Sequence, residues 1–402
     1  MKVGILREGK TPPDKRVPLT PQQCEEVQQT FPDVSIVVQP SPIRSYKDEE
    51  YSALGIPLQE DLSDCDVLLG VKEVRIGDFL PGKIYLFFSH TIKKQAYNRK
   101  LLQTVLAKNI QLVDYEVLTD KEGFRIIGFG RFAGLVGAYN GFRAFGLKYD
   151  LFNLKPAHEC EDLEEMLQHL DEVKLPPIKI ALTGDGRVAH GVLEILNHMN
   201  IMRVSPEAYL NDEEPEQAIY VQLLPGNYAK RADGEPFDLL HFFNNPTMYE
   251  NSFHPFTEAT DMLIASAYWD PKSPVLFTAD EMKNDNFRIA VISDITCDIE
   301  GSIPSTKRAA TIADPFYDYN PQTGELEEAF SNPNNVSVQA VDNLPCELPK
   351  DASLDFGRNL IEKVFPSLFG DDTDGIIQRA SITKDGALTE KFSYLQDFAD
   401  GK

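Results

Sequence analysis

The stretch that decides the fold is Ile178-Lys179-Ile180-Ala181-Leu182-Thr183-Gly184-Asp185-Gly186-Arg187-Val188-Ala189-His190-Gly191. An apolar strand runs directly into two spaced glycines, and helix-forming residues follow. Gly184 permits a tight turn, and Gly186 lets the main chain approach a pyrophosphate held on the N-terminal amides of the helix. Ala189 replaces the third glycine of the usual fingerprint, and Gly191 lies two residues further on. The stretch therefore indicates a dinucleotide-binding turn, with an ordinary strand–turn–helix connection as the alternative.

The segment after this helix bears on which dinucleotide is bound. A strand is predicted at residues 201–204, and an acidic residue at the end of the next strand usually binds the ribose hydroxyls. Here that position holds Ser205, and Arg203 is nearby. The missing carboxylate and the available arginine favour a 2′-phosphate, although Arg203 is equally well explained as a solvated surface charge. The prediction is NADP or NAD, with a slight preference for NADP.

Strand and helix signals alternate on both sides of the glycine turn. Upstream strands are predicted at residues 2–6, 34–39, 67–71, 84–88 and 111–113, with helices at 21–30 and 93–109. Downstream strands are predicted at residues 178–182, 219–223, 239–243 and 288–292. Alternating units of this kind imply parallel sheets covered by helices on both faces. The predicted fold class is α/β, with two Rossmann-like domains whose parallel sheets flank a ligand cleft.

The domain boundaries follow from the same pattern. A chain of 402 residues is long for a single core, so two domains are expected. Glycine-spaced residues 134–146 predict a long helix leaving the first domain, and residues 352–365 and 389–398 predict amphipathic helices, the last returning to it. We therefore expect a substrate domain at 1–140 plus about 375–402, and a dinucleotide-binding domain at 141–374.

The composition excludes several classes of protein. The net charge of −24 disfavours nucleic acid and anionic membranes as partners. No apolar run approaches the roughly 20 residues of a membrane helix, and the N-terminus does not resemble a signal peptide. The five cysteines lack a CxxC spacing, which is typical of reduced thiols. The expected location is cytoplasmic, with no metal site; the oligomeric state stays open.

Polar residues follow three of the predicted strands in the first domain. Lys72 and Glu73 follow residues 67–71, His90 follows residues 84–88, and Glu116 comes just after residues 111–113. The carboxyl ends of parallel strands line the ligand crevice, so these side chains are expected to converge. Taken singly, each has an ordinary explanation, since a strand-end lysine is usually solvated and a lone histidine is usually structural. Together they predict an acid–base site.

Several motifs resemble a known family. One set resembles the N-terminal signature shared by alanine dehydrogenases, transhydrogenase subunits and saccharopine dehydrogenases: Leu6-Arg7-Glu8 and Lys15-Arg16-Val17-Pro18-Leu19-Thr20-Pro21. Another set is similar to the saccharopine branch, and above all to lysine–2-oxoglutarate reductases: Gly70-Val71-Lys72-Glu73, His90-Thr91-Ile92-Lys93-Lys94-Gln95, Asp294-Ile295-Thr296-Cys297-Asp298 and Val341-Asp342-Asn343-Leu344-Pro345. The resemblance runs nearly end to end.

What the resemblance implies is the NAD(P)H-dependent condensation of L-lysine with 2-oxoglutarate to saccharopine, or the reverse reaction. Lys72 and His90 match the acid–base pair of the family, and this chemistry has to move several protons. Glu73 and Glu116 are expected beside that pair, where they tune its pKa values and receive the ε-ammonium of lysine.

The resemblance also implies substrate contacts in both domains. Arg16 and Arg125 match residues that hold carboxylates, a task suited to a planar fork of donors. Gln95 and Phe129 match further substrate contacts, and Thr296-Cys297-Asp298 borders both substrate and cofactor.

The cofactor contacts that the resemblance implies, together with those of the glycine turn, are Gly184, Gly186, Arg187, Val188, Arg203, Ser205, Ile295, Val341, Asp342, Asn343 and Leu344. Two departures weaken a transfer of NAD preference from the fungal enzymes. Phe124 stands where they have an arginine, and Ser205 stands where they have an aspartate. Neither departure touches Lys72 or His90.

Three alternatives remain open at this stage. An alanine dehydrogenase-like enzyme would share Arg16, Lys72 and His90 but needs no lysine-length pocket. A non-catalytic nucleotide-binding homologue would have no need of an acid–base pair. An enzyme of the same mechanism could act on another amino acid. The expected partners are amino acid and 2-oxo acid substrates, with a separate saccharopine-cleaving enzyme, since the resemblance covers only the reductase half.

Overall fold

The computed structural model describes every residue from Met1 to Lys402 and divides the chain into two compact units. The first unit comprises Met1–Phe129 and Pro349–Lys402, and the second comprises Gly130–Leu348. The expected division differs at both junctions, because residues 130–140 lie in the second unit and residues 349–374 in the first. Both units are α/β and Rossmann-like, which confirms the predicted fold class.

The strands alternate with helices along most of the chain. The strands are β1 (Lys2–Ile5), β2 (Ser35–Val38), β3 (Val67–Leu69), β4 (Ile84–Phe87), β5 (Gln111–Asp114), β6 (Lys179–Thr183), β7 (Met202–Val204), β8 (Ile219–Leu223), β9 (Ala229–Arg231), β10 (Tyr249–Asn251), β11 (Met262–Ala265), β12 (Val291–Asp294), β13 (Phe316–Tyr319), β14 (Leu326–Glu327), β15 (Val336–Gln339), β16 (Ser381–Lys384) and β17 (Ala387–Leu388).

The helices are α1 (Pro21–Thr30), α2 (Asp48–Ala53), α3 (Arg99–Ala107), α4 (Gly130–Lys148), α5 (Leu163–Asp171), α6 (Arg187–His198), α7 (Pro206–Asn211), α8 (Pro225–Tyr228), α9 (Leu239–Asn244), α10 (His254–Ala259), α11 (Pro349–Asn359), α12 (Phe365–Phe369), α13 (Ile376–Ala380) and α14 (Gln396–Asp400). A π-helical segment, Leu360–Val364, joins α11 to α12. None of the helices combines the length and apolar character needed to cross a membrane.

The first unit is built on a seven-stranded sheet in the order β17-β16-β5-β4-β3-β1-β2. Strands β1 to β5 are parallel, and β16 pairs antiparallel with β5. Strand β1 lies between β2 and β3, so it is the point where the strand order reverses. All five strands predicted for this part of the chain are present. The C-terminal segment therefore adds two strands, β16 and β17, to this sheet as well as helices.

The second unit has an eight-stranded sheet in the order β14-β13-β15-β12-β11-β6-β8-β7. The six strands from β15 to β7 are parallel, and β13 and β14 are antiparallel. The predicted strand at residues 239–243 was wrong, because this segment is helix α9. Asp238 caps that helix by accepting a hydrogen bond from the His241 amide at 2.7 Å. A short apolar run without flanking polar alternation does not distinguish a strand from a helix.

Glycines on α4 explain why this helix belongs to the second unit. A Cβ atom on Gly134 would lie 1.9 Å from the Val188 carbonyl oxygen, and one on Gly191 would lie 2.0 Å from the Arg131 carbonyl oxygen. The two glycines therefore let α4 and α6 cross in main-chain contact. A Cβ atom on Gly137 would lie 2.5 Å from the Ile295 side chain, so the helix also packs against the second sheet. Gly191 therefore serves the packing of α6 against α4.

The predicted helix at residues 93–109 is shorter than expected. Short 3-10 turns occupy Thr91–Lys93 and Ala96–Asn98, and the α-helix begins only at Arg99. Lys94 has a φ of 52°, and this left-handed conformation interrupts any continuous helix. The segment after β4 is therefore a compact loop that carries His90, Lys93 and Gln95.

Candidate active site

The carboxyl ends of four adjacent strands bring the predicted acid–base residues to one edge of the first sheet. The register pairs Ile5 with Leu69 and Phe87 with Asp114, so these strands end nearly level. Glu8 follows β1, Lys72 follows β3 and His90 follows β4. The convergence expected from parallel strands is therefore present in the structure.

Lys72 is positioned through its main chain by Glu8. One Glu8 oxygen accepts a hydrogen bond from the Val71 amide at 2.7 Å, and the other accepts one from the Lys72 amide at 2.9 Å. Burial raises the pKa of Glu8 to about 7, and the nearby charge of Asp14 adds to the effect. Glu8 was not among the predicted site residues, although its place at the end of the first strand was a usable signal.

His90 is held by Glu73, which also contacts Lys10. The Oε1 atom of Glu73 lies 2.6 Å from Nδ1 of His90, and its Oε2 atom accepts a hydrogen bond from Lys10 Nζ at 2.9 Å. Burial alone would raise the pKa of Glu73, but the hydrogen bonds from His90 and Lys10 lower it to about 2. Glu73 is therefore a carboxylate at neutral pH and can only accept hydrogen bonds. Nδ1 of His90 must donate, which assigns the acceptor role of a neutral imidazole to Nε2.

Arg16 is buried and fixed by two different interactions. Its Nε atom donates to Asp14 Oδ1 at 3.0 Å and its Nη2 atom donates to Asp14 Oδ2 at 2.6 Å, with both side chains only 2% exposed. The guanidinium carbon lies 4.2 Å from the ring centre of Phe129. Burial opposes ionisation of Asp14, yet the charge and hydrogen bonds of Arg16 lower its pKa to about 2. The result is a rigid guanidinium at the strand ends.

Four aromatic side chains form a platform beneath the site: Phe88, Tyr115, Phe129 and Phe356. The Phe129 and Phe356 rings stack with centres 4.5 Å apart, and Phe88 contacts both. The aromatic platform supports Arg16 through Phe129 and Arg125 through Phe88, whose ring centre lies 5.4 Å from the Arg125 guanidinium carbon. Phe356 comes from the C-terminal segment, and nothing in its local sequence indicated this position.

A second acidic pair lies beside His90. Asp114 is buried and accepts hydrogen bonds from Ser89 and from the Glu116 amide, the latter at 2.8 Å. Burial is the main reason why the pKa of Asp114 is raised to about 6. Glu116 pairs with Lys93 at 3.2 Å, and its Oε2 atom is buried without a hydrogen-bond partner. An unsatisfied buried carboxylate oxygen is suited to receive a donor from a ligand.

Gln95 is placed differently from the other predicted substrate residues. Its side chain is exposed and accepts a hydrogen bond from the Tyr97 hydroxyl at 2.6 Å. Arg125 is also exposed, but its Nε atom donates to the Ile127 carbonyl at 2.9 Å and its guanidinium rests on Phe88. The structure therefore brings Arg125 to the aromatic platform and leaves Gln95 in the outer loop.

The glycine turn of the second unit has the features that a pyrophosphate requires. Gly184 has a φ of 96°, and its main chain is tied to β8, with its amide donating to the Leu223 carbonyl at 2.8 Å. A Cβ atom on Gly184 would lie 3.0 Å from Ala267. At Gly186, which precedes α6, a Cβ atom would meet nothing within 4 Å. The open space and the start of α6, where Arg187 is exposed and Val188 half-buried, fit a dinucleotide phosphate.

The strand beside β6 is not the one that follows it in sequence. Strand β8 pairs directly with β6, whereas β7 lies beyond β8 at the edge of the sheet. Ser205 ends this edge strand, and its hydroxyl caps α7 by accepting the Ala208 amide at 3.1 Å. Arg203 is exposed on the same edge strand. The position that usually binds the ribose is therefore the end of β8, near Leu224, and neither Arg203 nor Ser205 occupies it.

Two loops of the second unit meet at the ends of β12 and β15. The Sγ atom of Cys297 lies 3.0 Å from the Val341 carbonyl oxygen, which joins the Thr296-Cys297-Asp298 loop to the segment 341–344. Asp294 is buried, and its two oxygens accept hydrogen bonds at 2.6 Å from Thr296 and Thr306 hydroxyls. Burial raises the pKa values of Asp294 and Cys297. Cys297 is therefore a thiol that fixes the loop.

The predicted substrate residues lie in two groups. Arg16, Glu73, Gln95, Glu116, Arg125 and Phe129 are in the first unit, and Thr296, Cys297 and Asp298 are in the second. Ile295 and the segment 341–344 lie on the same sheet edge as the glycine turn, as expected for a nucleotide site.

A nucleotide turn on one α/β unit and an arginine–lysine–histidine site on another define a two-domain dehydrogenase fold. Residues 4–136 match the family model described as alanine dehydrogenase/PNT, N-terminal domain. The chain is similar to the superfamily of saccharopine dehydrogenases and alanine dehydrogenases.

Three named relatives each cover 90% or more of this chain. The chain is 29% identical over 438 residues to the alpha-aminoadipic semialdehyde synthase of Arabidopsis thaliana, covering 98% of this chain and 41% of that protein. It is 27% identical to the mitochondrial enzyme of that name from Mus musculus, covering 100% of this chain and 48% of that one. The chain thus spans less than half the length of these two relatives. It is 25% identical to the NAD(+), L-lysine-forming saccharopine dehydrogenase of Emericella nidulans, covering 90% of each.

Solved structures agree on the fold. An L-alanine dehydrogenase aligns with a TM-score of 0.64 at 14% identity, covering 100% of this chain and 99% of that one. A transhydrogenase from Sinorhizobium meliloti aligns with a TM-score of 0.61 at 14% identity, covering 96% of this chain and 100% of that one. At these identities the likeness concerns the fold alone.

Proposed function

We propose that this chain is an oxidoreductase that condenses L-lysine with 2-oxoglutarate and reduces the product to saccharopine, or runs the reverse reaction. The observation that carries the proposal is the position of Lys72 and His90 at the ends of adjacent strands, beside the buried Arg16. The relatives named for saccharopine and aminoadipic semialdehyde chemistry support the choice of substrates.

The arginines are suited to the dicarboxylate substrate. Arg16 is held rigid by Asp14 and Phe129, and Arg125 rests on Phe88. Guanidinium groups bind carboxylates with parallel hydrogen bonds, and a pre-fixed guanidinium loses little freedom on binding. We propose that Arg16 and Arg125 hold 2-oxoglutarate on the aromatic platform, with Phe129 also contacting it and Gln95 joining from the outer loop.

The protons of the reaction would be moved by His90 and Lys72. Condensation requires the ε-amine of lysine to lose a proton, attack the keto carbon and then expel water. Glu73 directs the Nδ1 proton of His90 towards itself, so Nε2 is the atom that accepts and returns protons. Lys72, whose main chain is fixed by Glu8, would donate to the keto oxygen as it becomes hydroxyl and then water.

Glu116 offers a place for the ε-ammonium group. Its Oε2 atom is buried and has no hydrogen-bond partner, so an incoming N–H donor would satisfy it. The Oε1 atom already contacts Lys93 at 3.2 Å, which keeps a positive charge beside the carboxylate. In the second unit, Thr296, Cys297 and Asp298 are proposed as further substrate contacts.

The cofactor would be held by the second unit. Gly184 and Gly186, with the start of α6 at Arg187 and Val188, suit the pyrophosphate, and Ile295 with residues 341–344 suits the far end of the dinucleotide. A bound nicotinamide would supply the hydride that reduces the imine. Whether NADPH or NADH is preferred depends on the ribose contacts, for which we propose the end of β8.

Turnover assays test the proposed function directly. Oxidation of NADPH and of NADH should be followed with 2-oxoglutarate and a panel of amino acids, and separately with pyruvate plus ammonia. Saccharopine formation with L-lysine is expected. Faster turnover of pyruvate and ammonia would instead favour an alanine dehydrogenase, and nucleotide binding without turnover on any pair would favour a non-catalytic protein.

A further inference from the structure

A cavity of about 640 Å³ lies entirely within the first unit, at the carboxyl ends of β1, β2 and β3. Strand β1 has β2 on one side and β3 on the other, so the cavity sits where the strand order reverses. In open α/β sheets such reversal points are the usual ligand sites. Lys72 and Glu73 form part of its wall, so the cavity is continuous with the acid–base site.

The ionisable residues of this cavity are mainly acidic. Five carboxylates and three basic groups line it, which leaves a net charge of −2 when all are ionised: Glu8, Glu60, Asp61, Glu73 and Asp78, with Arg7, Lys72 and Arg75. Such a lining favours a cationic ligand and disfavours a dianion such as 2-oxoglutarate. Of the two substrates of the proposed reaction, lysine therefore suits the cavity better than 2-oxoglutarate.

Some of these charges already have partners within the unit. Arg7 donates to Glu60 at 3.0 Å, and Glu73 contacts His90 and Lys10. Asp61 accepts two hydrogen bonds from Ser63, one from its amide at 2.9 Å and one from its hydroxyl at 3.0 Å. Asp61 is exposed to solvent. Arg75 donates from Nε to the Gly9 carbonyl at 2.7 Å. Asp61 and the remaining N–H groups of Arg75 are thus available to an incoming ligand.

We propose that this cavity binds the α-amino-acid end of a cationic diamino acid, with Asp61 facing the α-ammonium group and Arg75 facing the carboxylate. The side chain of the ligand would run along the wall towards Lys72 and deliver its distal amine to the acid–base site. This assignment rests on the proposed function and extends it, because it separates the lysine subsite from the arginines that hold the dicarboxylate.

The carboxylate of Glu8 also favours a cationic ligand in this cavity. Its carboxylate lies beside the Lys72 main chain, and its two oxygens each keep a lone pair beyond the amide bonds that they accept. Burial is the largest influence on its ionisation, followed by the charge of Asp14, the Val71 and Lys72 amides and the charge of Arg16. A positive ligand group nearby would favour its ionised form, so ligand binding and ionisation of Glu8 would reinforce each other.

Titration calorimetry with L-lysine tests the proposal on the full chain. Asp61→Asn retains an acceptor for Ser63 but loses the charge, and it is expected to weaken lysine binding by roughly ten- to a hundredfold, the effect of losing a hydrogen bond to a charged group. Arg75→Gln should weaken it similarly. Asp64→Asn is the matched control, because Asp64 is exposed in the same loop, pairs with Lys2 and does not line the cavity. Cadaverine, which lacks the carboxylate, should bind the wild type and Arg75→Gln equally.

Two outcomes would overturn the assignment. The first is an unchanged affinity for lysine in both Asp61→Asn and Arg75→Gln. The second is a loss of lysine affinity in Asp64→Asn as large as in those two variants. Steady-state kinetics separate this from the proposed function, since the variants should raise KM for lysine and leave KM for 2-oxoglutarate within about twofold. If both variants turn over at the wild-type rate with an unchanged KM for lysine, the proposed reaction stands and only this subsite is ruled out.

Discussion

Glu73 and His90 form the central contact of the site, with Oε1 of Glu73 lying 2.6 Å from Nδ1 of His90. The two residues follow neighbouring strands, so the sheet itself sets their separation. His90 adopts a left-handed conformation with a φ of 53°, which is uncommon for a residue other than glycine. Backbone strain of this kind persists where surrounding contacts hold it, and here it turns the imidazole towards Glu73.

Replacing either acid–base residue should reduce turnover strongly. Lys72→Met and His90→Gln are each expected to lower kcat by roughly two to four orders of magnitude, the range for a positioned acid or base. Lys94→Met is the control, because Lys94 lies in the same loop but rests on the Tyr394 ring. Unchanged kcat in both Lys72→Met and His90→Gln would remove the catalytic assignment.

Glu73 should also contribute to stability in a pH-dependent way. Its pKa is lowered to about 2 in the folded state, below the ordinary value of 4.5. The contribution is therefore present above about pH 4.5 and is lost as the pH falls towards 2. Urea unfolding should show Glu73→Gln to be less stable than the wild type at pH 7, and the difference should shrink at pH 3. A difference that grows on acidification would contradict the assigned ionisation.

Arg125 is expected to act on the oxo acid alone. Arg125→Ala removes a guanidinium held on Phe88 and should raise KM for 2-oxoglutarate roughly tenfold or more, because a charge-assisted contact is lost. KM for lysine, measured in the same series, should change by less than about threefold. An equal rise for both substrates would indicate a general effect on the site.

Cofactor preference should respond to the end of β8. Leu224→Asp places a carboxylate beside the strand that neighbours β6, and it is expected to lower the NADPH/NADH ratio of kcat/KM at least tenfold by repelling a 2′-phosphate. Ser205→Asp adds the same charge at the edge strand and should leave the ratio unchanged. The sequence alone predicts that Ser205→Asp is the variant that shifts the preference towards NADH. Comparing the two variants therefore decides which strand end lies beside the ribose.

The two glycines around α6 should have separable effects. Gly191→Ala places a Cβ atom against the Arg131 carbonyl and is expected to lower the free energy of unfolding by about 1–3 kcal/mol. Gly186→Ala meets open space, with a φ of −77° that alanine adopts readily, so stability should be unchanged. The same change should weaken NADPH binding, because the methyl group occupies the path of the pyrophosphate. Calorimetry of unfolding and of binding measures both effects.

Regular patterns in the sequence predict the sheet and its functional edge well. The strands that carry Lys72 and His90 are apolar runs ended by polar residues, and parallel pairing then brings those ends together. The glycine turn is equally local, because Gly184 and Gly186 act within one strand–helix connection. These features depend on neighbours in sequence or on the single assumption of a parallel sheet.

Other parts of the site depend on distant segments and were not predictable in the same way. Phe356 reaches the aromatic platform from the C-terminal segment, more than two hundred residues away from Phe129. The insertion of β8 between β6 and β7 is a matter of strand order, which periodicity does not encode. Asp14 carries no apolar pattern, and its importance follows only from the atoms of Arg16 that it contacts.

The discontinuous first unit has a consequence for how the protein is made. Gln111 on β5 donates to Ser381 on β16 at 2.9 Å across 270 positions of sequence. A ribosome therefore releases β5 long before its partner exists, and the strand has an unprotected edge throughout that interval. The whole second unit, Gly130–Leu348, is synthesised meanwhile and can fold first, since domains generally fold as units during synthesis. The sheet of the first unit is therefore complete only after residues 381–388 have been synthesised.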